Sequence, residues 1–324
     1  MDIGNWPAYP HQVDQLVAAW QRKYSRYLRV DSLTQYLRQK VYMLTVTDPS
    51  VPARKKRKQM FTVPHAHEPA GTVGSLNFIH QLLTGRHLDG AKSTLDRKRI
   101  LKETLVSFNP DSNPGGRMRA PVHFWDGSRY TNDEFWEWMR GIDPDSGERF
   151  KRVARWSIRK EHPLRIGIVY EQLNSHEFVE PNRDRGSSLL RLVRKYCRRW
   201  RYDQYLSLHQ TEFQNRKDRA NAMIILPVLH AELPAKLQEY NEAWAWDIIH
   251  RWKSVGARPI AEVKPLGYGE PHRSWFIQCW GPLQKKTPCI TVEIQNNNKR
   301  TPPEKQLLLA DTAIRESVER LLEV

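Results

Sequence analysis

The sequence predicts an α/β fold, a β-sheet with helices on both faces. Two observations lead there. Apolar runs of strand length alternate with amphipathic stretches of helix length along the 324 residues. A hydrophobic content of 39% with 12 tryptophans is enough to bury a substantial core. No internal repeat, low-complexity linker or sharp boundary divides the chain, so a single domain over 1–324 is the simplest organisation, with an insertion expected around 140–185.

Each element has its own signal. Val13, Leu16, Val17, Trp20, Tyr24 and Leu28 recur at helical spacing and predict an amphipathic helix over 12–28. Strand-like segments follow at Tyr42–Thr47 and Gln59–Pro64, and the basic VPARKKRK between them reads as a turn or loop. In TVGSLNFIHQLLTG, Val73, Leu76, Ile79 and Leu83 share one helical face that stops at Gly85, a residue suited to a left-handed helix end. Then come a strand candidate at Glu103–Phe108, the loop NPDSNPGGRMRAP and a polar-aromatic segment around Trp136 and Trp138. Ile166–Tyr170 reads as a strand, Ser187–Trp200 as a helix and Tyr205–His209 as extended chain. A helix over Pro234–Lys253, the strand Cys289–Ile294 and a closing helix over Lys305–Leu322 complete the pattern.

Charge and cysteine usage narrow the function classes. No window approaches the roughly 18 apolar residues of a membrane span. The start of the chain lacks the basic-then-apolar order of a signal peptide, so a cytoplasmic location and no membrane partner are expected. Cys197, Cys279 and Cys289 form no CxxC pair and are expected to be free, partly buried thiols. The net charge of +16 arises from 52 basic against 36 acidic residues, with concentrations at Arg54–Lys58 and Arg191–Arg201. Such runs are solvated faces or weak polyanion-binding surfaces. With Tyr196 and Trp200 interleaved in the second run, a non-catalytic nucleic-acid binder is the reading from a different class.

The stretch VPHAHEPAG carries the chemistry. His65 and Glu68, spaced His-x-x-Glu in a strand-to-helix turn, can converge on one ion about 2 Å from each donor atom. His67 competes with His65, but it is adjacent to Glu68 and points the other way in extended chain. A third ligand belongs at the end of another strand, because open α/β sheets build sites beyond the carboxyl ends of their strands. His209, ending Tyr205-Leu206-Ser207-Leu208, fits that place. Glu293, ending Ile290-Thr291-Val292 on an apolar strand, is positioned to act as a general base whose pKa is raised by partial desolvation.

Four segments in this order resemble the zinc carboxypeptidase family, which includes the aspartoacylase and succinylglutamate desuccinylase type of deacylase. They are the His-x-x-Glu turn with its following helix, Asn109-Pro110-Asp111-Ser112 for the family's Asn-Pro-Asp-Gly loop, the strand ending in His209, and Thr291-Val292-Glu293 for its Thr-x-Glu strand. The match spans about residues 12 to 320. The resemblance implies a mixed central sheet, one Zn2+ per chain held by His65, Glu68 and His209, and Glu293 as the base. It also implies an arginine that polarises the scissile carbonyl, either Arg117 or Arg119, and a tyrosine that closes over substrate, for which Tyr268 between Gly267 and Gly269 is suited.

Two departures stand out. Where the family has Asn-Arg to grip a terminal carboxylate, one match is Asn132 followed by Asp133, and the other is Asn182-Arg183 in EPNRDRG. Ser207 stands where the family often has Asp, two residues before the last histidine. The expected activity is amide-bond hydrolysis on a peptide substrate or, alternatively, on an N-acyl amino acid.

Overall fold

The computed structural model describes residues 5–213 and 219–323. Eight strands form the main sheet: β1 (Leu28–Thr34), β2 (Lys40–Val46), β3 (Arg57–Thr62), β4 (Thr104–Asn109), β5 (Gln204–Thr211), β6 (Ala222–Leu226), β7 (Lys264–Pro265) and β8 (Cys289–Gln295). The principal helices are α1 (Pro10–Tyr24), α2 (Pro69–Thr84), α3 (Arg97–Glu103), α4 (Asn132–Arg140), α5 (Ser188–Arg199), α6 (Ala235–Ser254), α7 (His272–Gln284) and α8 (Pro303–Glu323). The strand order is β1-β2-β4-β3-β5-β8-β6-β7. β4, β3, β5 and β8 are parallel neighbours, and antiparallel pairs β1-β2, β2-β4 and β6-β8 make the sheet mixed, as expected.

Period-two alternation decides what each face carries. On one face Leu44, Phe61, Phe108, Leu206, Val292 and their neighbours pack beneath α1, α2, α3, α6 and α8. On the other, Val41, Met43, Met60, Leu105, Tyr205 and Cys289 pack beneath α5 and α7. The second face is therefore also that of Ser207, His209, Thr291 and Glu293, which keep step with Tyr205 and Cys289.

The segment 141–179, within the expected insertion, forms two small side sheets over a satellite core built around Trp125, Phe135, Phe150, Trp156 and Phe178. The strand expected at Ile166–Tyr170 is reduced to Arg165–Ile166, paired with Gly141–Ile142. Ile168, Val169 and Tyr170 are buried in a turn. Their apolar character reflects this local core and not strand pairing. A Cβ on Gly167 would lie 2.2 Å from the Arg140 carbonyl carbon, so the backbone closes tightly there.

The basic run Arg54–Lys58 is not one solvated face. Lys56 is buried, its Nζ donating to Thr47 Oγ1 at 2.6 Å and to the carbonyls of Asp48 and Leu101 at 2.5 and 2.9 Å. Tyr196 is buried too, its hydroxyl bonded to Asp31, so it is not open for base stacking. The three cysteines are free, Cys289 buried and the others partly so. Among the described residues, no helix is long and apolar enough to cross a membrane.

Candidate active site

β3, β5 and β8 run parallel, so their carboxyl ends lie at one edge of the sheet. The chain leaves β3 into the turn His65–Glu68, and Pro69 opens α2 at a position where its missing N–H would have no intrahelical partner. The Asn-Pro-Asp loop packs behind this turn: Val63 N donates to Asn109 O and Ser112 N to Val63 O, both at 3.0 Å. Parallel register sets His209 of β5 directly beside Glu293 of β8.

The three candidate ligands meet. His65 Nδ1 lies 2.7 Å and His209 Nδ1 2.8 Å from Glu68 Oε1, and ligand atoms of the three residues all lie within 4.8 Å of one another. The outer ring nitrogens are held from behind. His65 Nε2 is 2.5 Å from Glu180 Oε1 and 3.4 Å from Asn182 Nδ2, and His209 Nε2 is 2.9 Å from Ser207 Oγ. These partners fix both rings with Nδ1 toward Glu68, the outer-sphere arrangement that orients metal-ligating histidines. Two imidazole nitrogens and a carboxylate oxygen suit zinc chemically. His67 stacks on His65 at 5.2 Å between ring centroids, and its Nδ1 has no partner.

The charges are strongly coupled. Burial opposes the charged form of Glu68, but His209 and His65 outweigh it and hold the carboxylate well below its ordinary range. Burial likewise opposes the His65 imidazolium, and Glu68 and Glu180 overcome it, raising its pKa to about 9. Burial wins at His67, lowered to about 3, and at Glu293, pushed up to about 7. Glu293 Oε2 is shut from solvent without a hydrogen-bond partner.

A cavity of about 310 Å³ opens over this cluster. His65, Glu68, His209, Glu293 and Tyr268 line it, with apolar walls that include Trp136, Ile225, Leu266, Phe276 and Trp280. Tyr268 stacks on Phe276 at 4.7 Å, and burial raises its hydroxyl pKa.

The expected arginines are elsewhere. Arg117 is buried and donates to the carbonyls of Ala8, Ala66 and His123, with its guanidinium 4.6 Å from the Tyr9 ring centroid. It braces the His65–Glu68 turn through Ala66. Arg119 donates to the carbonyls of Gly115, Gly167 and Tyr170. Neither lines the cavity; Arg152 does. Its Nη2 lies 3.8 Å from Glu180 Oε1, and its Nε is buried without a partner. The arginine side chains expected at the reaction centre satisfy carbonyls instead, because the loop after Asn109 folds back against the chain near residues 8, 66 and 168.

Asn132 is also off the site, its Oδ1 accepting from Asn297 Nδ2 at 3.0 Å, and the neighbouring Asp133 is exposed and paired with Arg149. Asn182 lines the cavity in its place. Arg183, next in sequence, is buried with its guanidinium 5.1 Å from the Phe276 ring centroid and Nη1 3.5 Å from Glu180 Oε2. Sequence reasoning missed Glu180 and Arg152. Glu180 had a signal, as the carboxylate two residues before Asn182 in EPNR; Arg152 had none.

Sheet order, the turn before α2 and the three converging donors can be compared with known structures. Carboxypeptidase A from Helicoverpa armigera superposes with a TM-score of 0.62 at 12% identity, covering 98% of this chain and 74% of that one. The fold is that of the metallocarboxypeptidases. Bovine thrombin-activatable fibrinolysis inhibitor, in complex with tick carboxypeptidase inhibitor, gives a TM-score of 0.58 at 13% identity and covers 97% of both chains. A metallo-carboxypeptidase from Pseudomonas aeruginosa gives 0.58 at 12%, covering 96% of this chain and 69% of that one. No protein-family model and no curated protein matches the sequence. On this carboxypeptidase fold, His65, Glu68 and His209 are the group of described residues able to hold a metal ion.

Proposed function

We propose that the chain is a zinc-dependent amide-bond hydrolase of the carboxypeptidase type. The observation that carries this reading is the convergence of His65 Nδ1, Glu68 Oε1 and His209 Nδ1 beneath a cavity that Glu293 also lines. When bound, zinc supplies Lewis acidity to a carbonyl oxygen and acidifies a water molecule. Glu293, desolvated and unpartnered at Oε2, takes the proton of the attacking water and delivers it to the departing nitrogen. Arg152 is the guanidinium at the cavity wall and stabilises negative charge developing on the carbonyl oxygen. Asn182, at the cavity wall, stands ready for the carboxylate at the end of a peptide, with Arg183 buried behind it beside Glu180 and Phe276, and Tyr268 covers the substrate from its glycine-flanked loop.

The apolar walls and, among the described lining residues, the lack of any carboxylate other than Glu68 and Glu293 favour a large apolar side chain on the substrate. A peptide ending in a free aromatic or aliphatic residue fits best. The test is metal analysis of the purified protein combined with hydrolysis of a panel of C-terminal peptides and N-acyl amino acids. One zinc per chain, cleavage of the apolar-ended peptides and loss of turnover in Glu293→Gln with zinc retained are expected. Zinc retained by a His65→Ala, His209→Ala double variant would refute the site, and preferential cleavage of N-acyl amino acids would make the chain a deacylase.

A further inference from the structure

A second concavity, of about 1160 Å³, lies at the opposite edge of the sheet. Tyr202 and Asp203, just before β5, and Thr287 and Pro288, just before β8, form its floor, so it sits at the amino ends of the strands whose carboxyl ends carry the candidate active site. α5 and α7 flank it. Arg194 and Arg198 on α5, with Arg201 just beyond, line one side; Lys236 on α6 and Lys285 and Lys286 after α7 line it as well. All six are exposed, and none is in an ion pair among the described residues. The acidic side chain lining the groove is Asp203, whose Oδ2 already accepts from Lys58 N at 2.7 Å.

The groove also presents an aromatic ring. Trp200 lines it, with the Arg199 guanidinium 4.9 Å from the ring centroid and an indole Nε1–H that has no partner. Unneutralised cations on both sides of a recess leave a strongly positive potential that only a polyanion offsets. A recess between two helices admits one strand, whereas a duplex or a flat lipid surface would touch only its rim. Guanidinium groups match phosphate oxygens in a planar fork, and an indole face offers base stacking. A polyglutamate chain could use the charge but not the ring.

We propose that this groove binds single-stranded nucleic acid, its phosphates held by Arg194, Arg198, Arg201, Lys236, Lys285 and Lys286 and a base stacked on Trp200. The proposal is independent of the hydrolase reading, since no catalytic candidate lines the groove.

The test is fluorescence anisotropy of a labelled thymidine oligonucleotide with the full chain across a salt series. Arg194→Glu/Arg198→Glu/Arg201→Glu, and separately Lys236→Gln/Lys285→Gln/Lys286→Gln, are expected to weaken binding roughly tenfold or more. Each set should flatten the slope of log affinity against log salt by about 2, at about 0.7 for each phosphate of a single strand that is no longer neutralised. Arg54→Glu/Lys55→Glu, which removes more charge than the lysine set but lies outside the groove, should leave affinity unchanged, and circular dichroism should report a native fold for every variant. Trp200→Ala should weaken binding while leaving the salt slope intact. Equal weakening by the Arg54/Lys55 control would overturn the groove as the site. Equal binding of duplex DNA, or displacement of the oligonucleotide by polyglutamate, inorganic polyphosphate or phosphatidylserine vesicles at equal charge concentration, would overturn the assignment of a single strand.

Discussion

At the scale of single residues, the site depends on side chains that never touch a metal. Glu180 accepts from His65 Nε2, and Ser207 Oγ contacts His209 Nε2, so each imidazole is presented in one orientation. Removing such an outer partner typically costs about 10–100-fold in metal affinity. Glu180→Gln is therefore expected to lose zinc to a competing chelator at least tenfold more readily than the unmodified protein, with circular dichroism unchanged; equal retention would deny Glu180 that role. Glu293 makes a second prediction. Its carboxyl, pushed up to about 7 by burial, must be ionised to accept a proton. The kcat/KM profile should therefore rise with pH on its acid side toward 7, well above the ordinary carboxylate value of 4.5. A profile already flat at pH 5 would exclude Glu293 as the titrating base.

At the scale of elements, two junctions tie the segment 141–179 to the rest of the fold. The single helical turn Pro114–Arg117 presses against the turn at residues 167–170: a Cβ on Gly116 would lie 2.2 Å from Ile168 O and 2.5 Å from Asn113 Nδ2. Because the nearest atom is backbone, Gly116→Ala must push the two turns apart. A loss of about 1–3 kcal/mol in urea unfolding is expected. The second junction is the start of α5, where Ser188 N and Oγ donate to Glu171 at 2.8 and 2.6 Å. Burial dominates these bonds and raises Glu171 to about 7 from 4.5. The folded state thus holds the proton more tightly than the unfolded chain. This contribution is fully present below pH 4.5 and is lost as pH rises to about 7. Glu171→Gln, which has no proton to lose, should show a smaller fall in Tm between pH 4.5 and pH 7 than the unmodified protein.

At the scale of the whole molecule, the sheet separates two chemistries. The carboxyl ends of β3, β5 and β8 carry buried acids and histidines, and the amino ends carry unneutralised cations. A metal bound only by the folded state stabilises it by mass action. Chelation should therefore lower Tm and zinc should restore it, whereas His65→Ala/His209→Ala should respond to neither. An unchanged Tm on chelation of zinc-loaded protein would show that the ion does not bind at a folding-dependent site.

Much of this was legible in the chain. Alternation in Tyr42–Val46 and in Cys289–Ile294 reports directly which residues face which helices, because the side-chain period of a strand is two. His65, Glu68, His209 and Glu293 could be chosen because each stands in or next to a strand end, and parallel neighbours put such ends together. The reading of Ile166–Tyr170 as a strand failed for the converse reason: an apolar run states that it is buried, not what it pairs with. Arg117, Arg119 and Arg152 are alike in sequence, each a cation near a loop. A guanidinium has five donors on a long stem, and its position depends on which carbonyls fold past it. For Arg117 and Arg119 those carbonyls belong to residues 8, 66, 115, 123, 167 and 170. The sequence by itself determined the α/β alternation, which depends on local periodicity, and offered His65, Glu68, His209 and Glu293 as candidates, since each stands in or next to a strand end. Only the tertiary structure decided that Arg152 and Asn182, not Arg117, Arg119 and Asn132, reach the cavity, because that depends on packing between segments far apart in the chain.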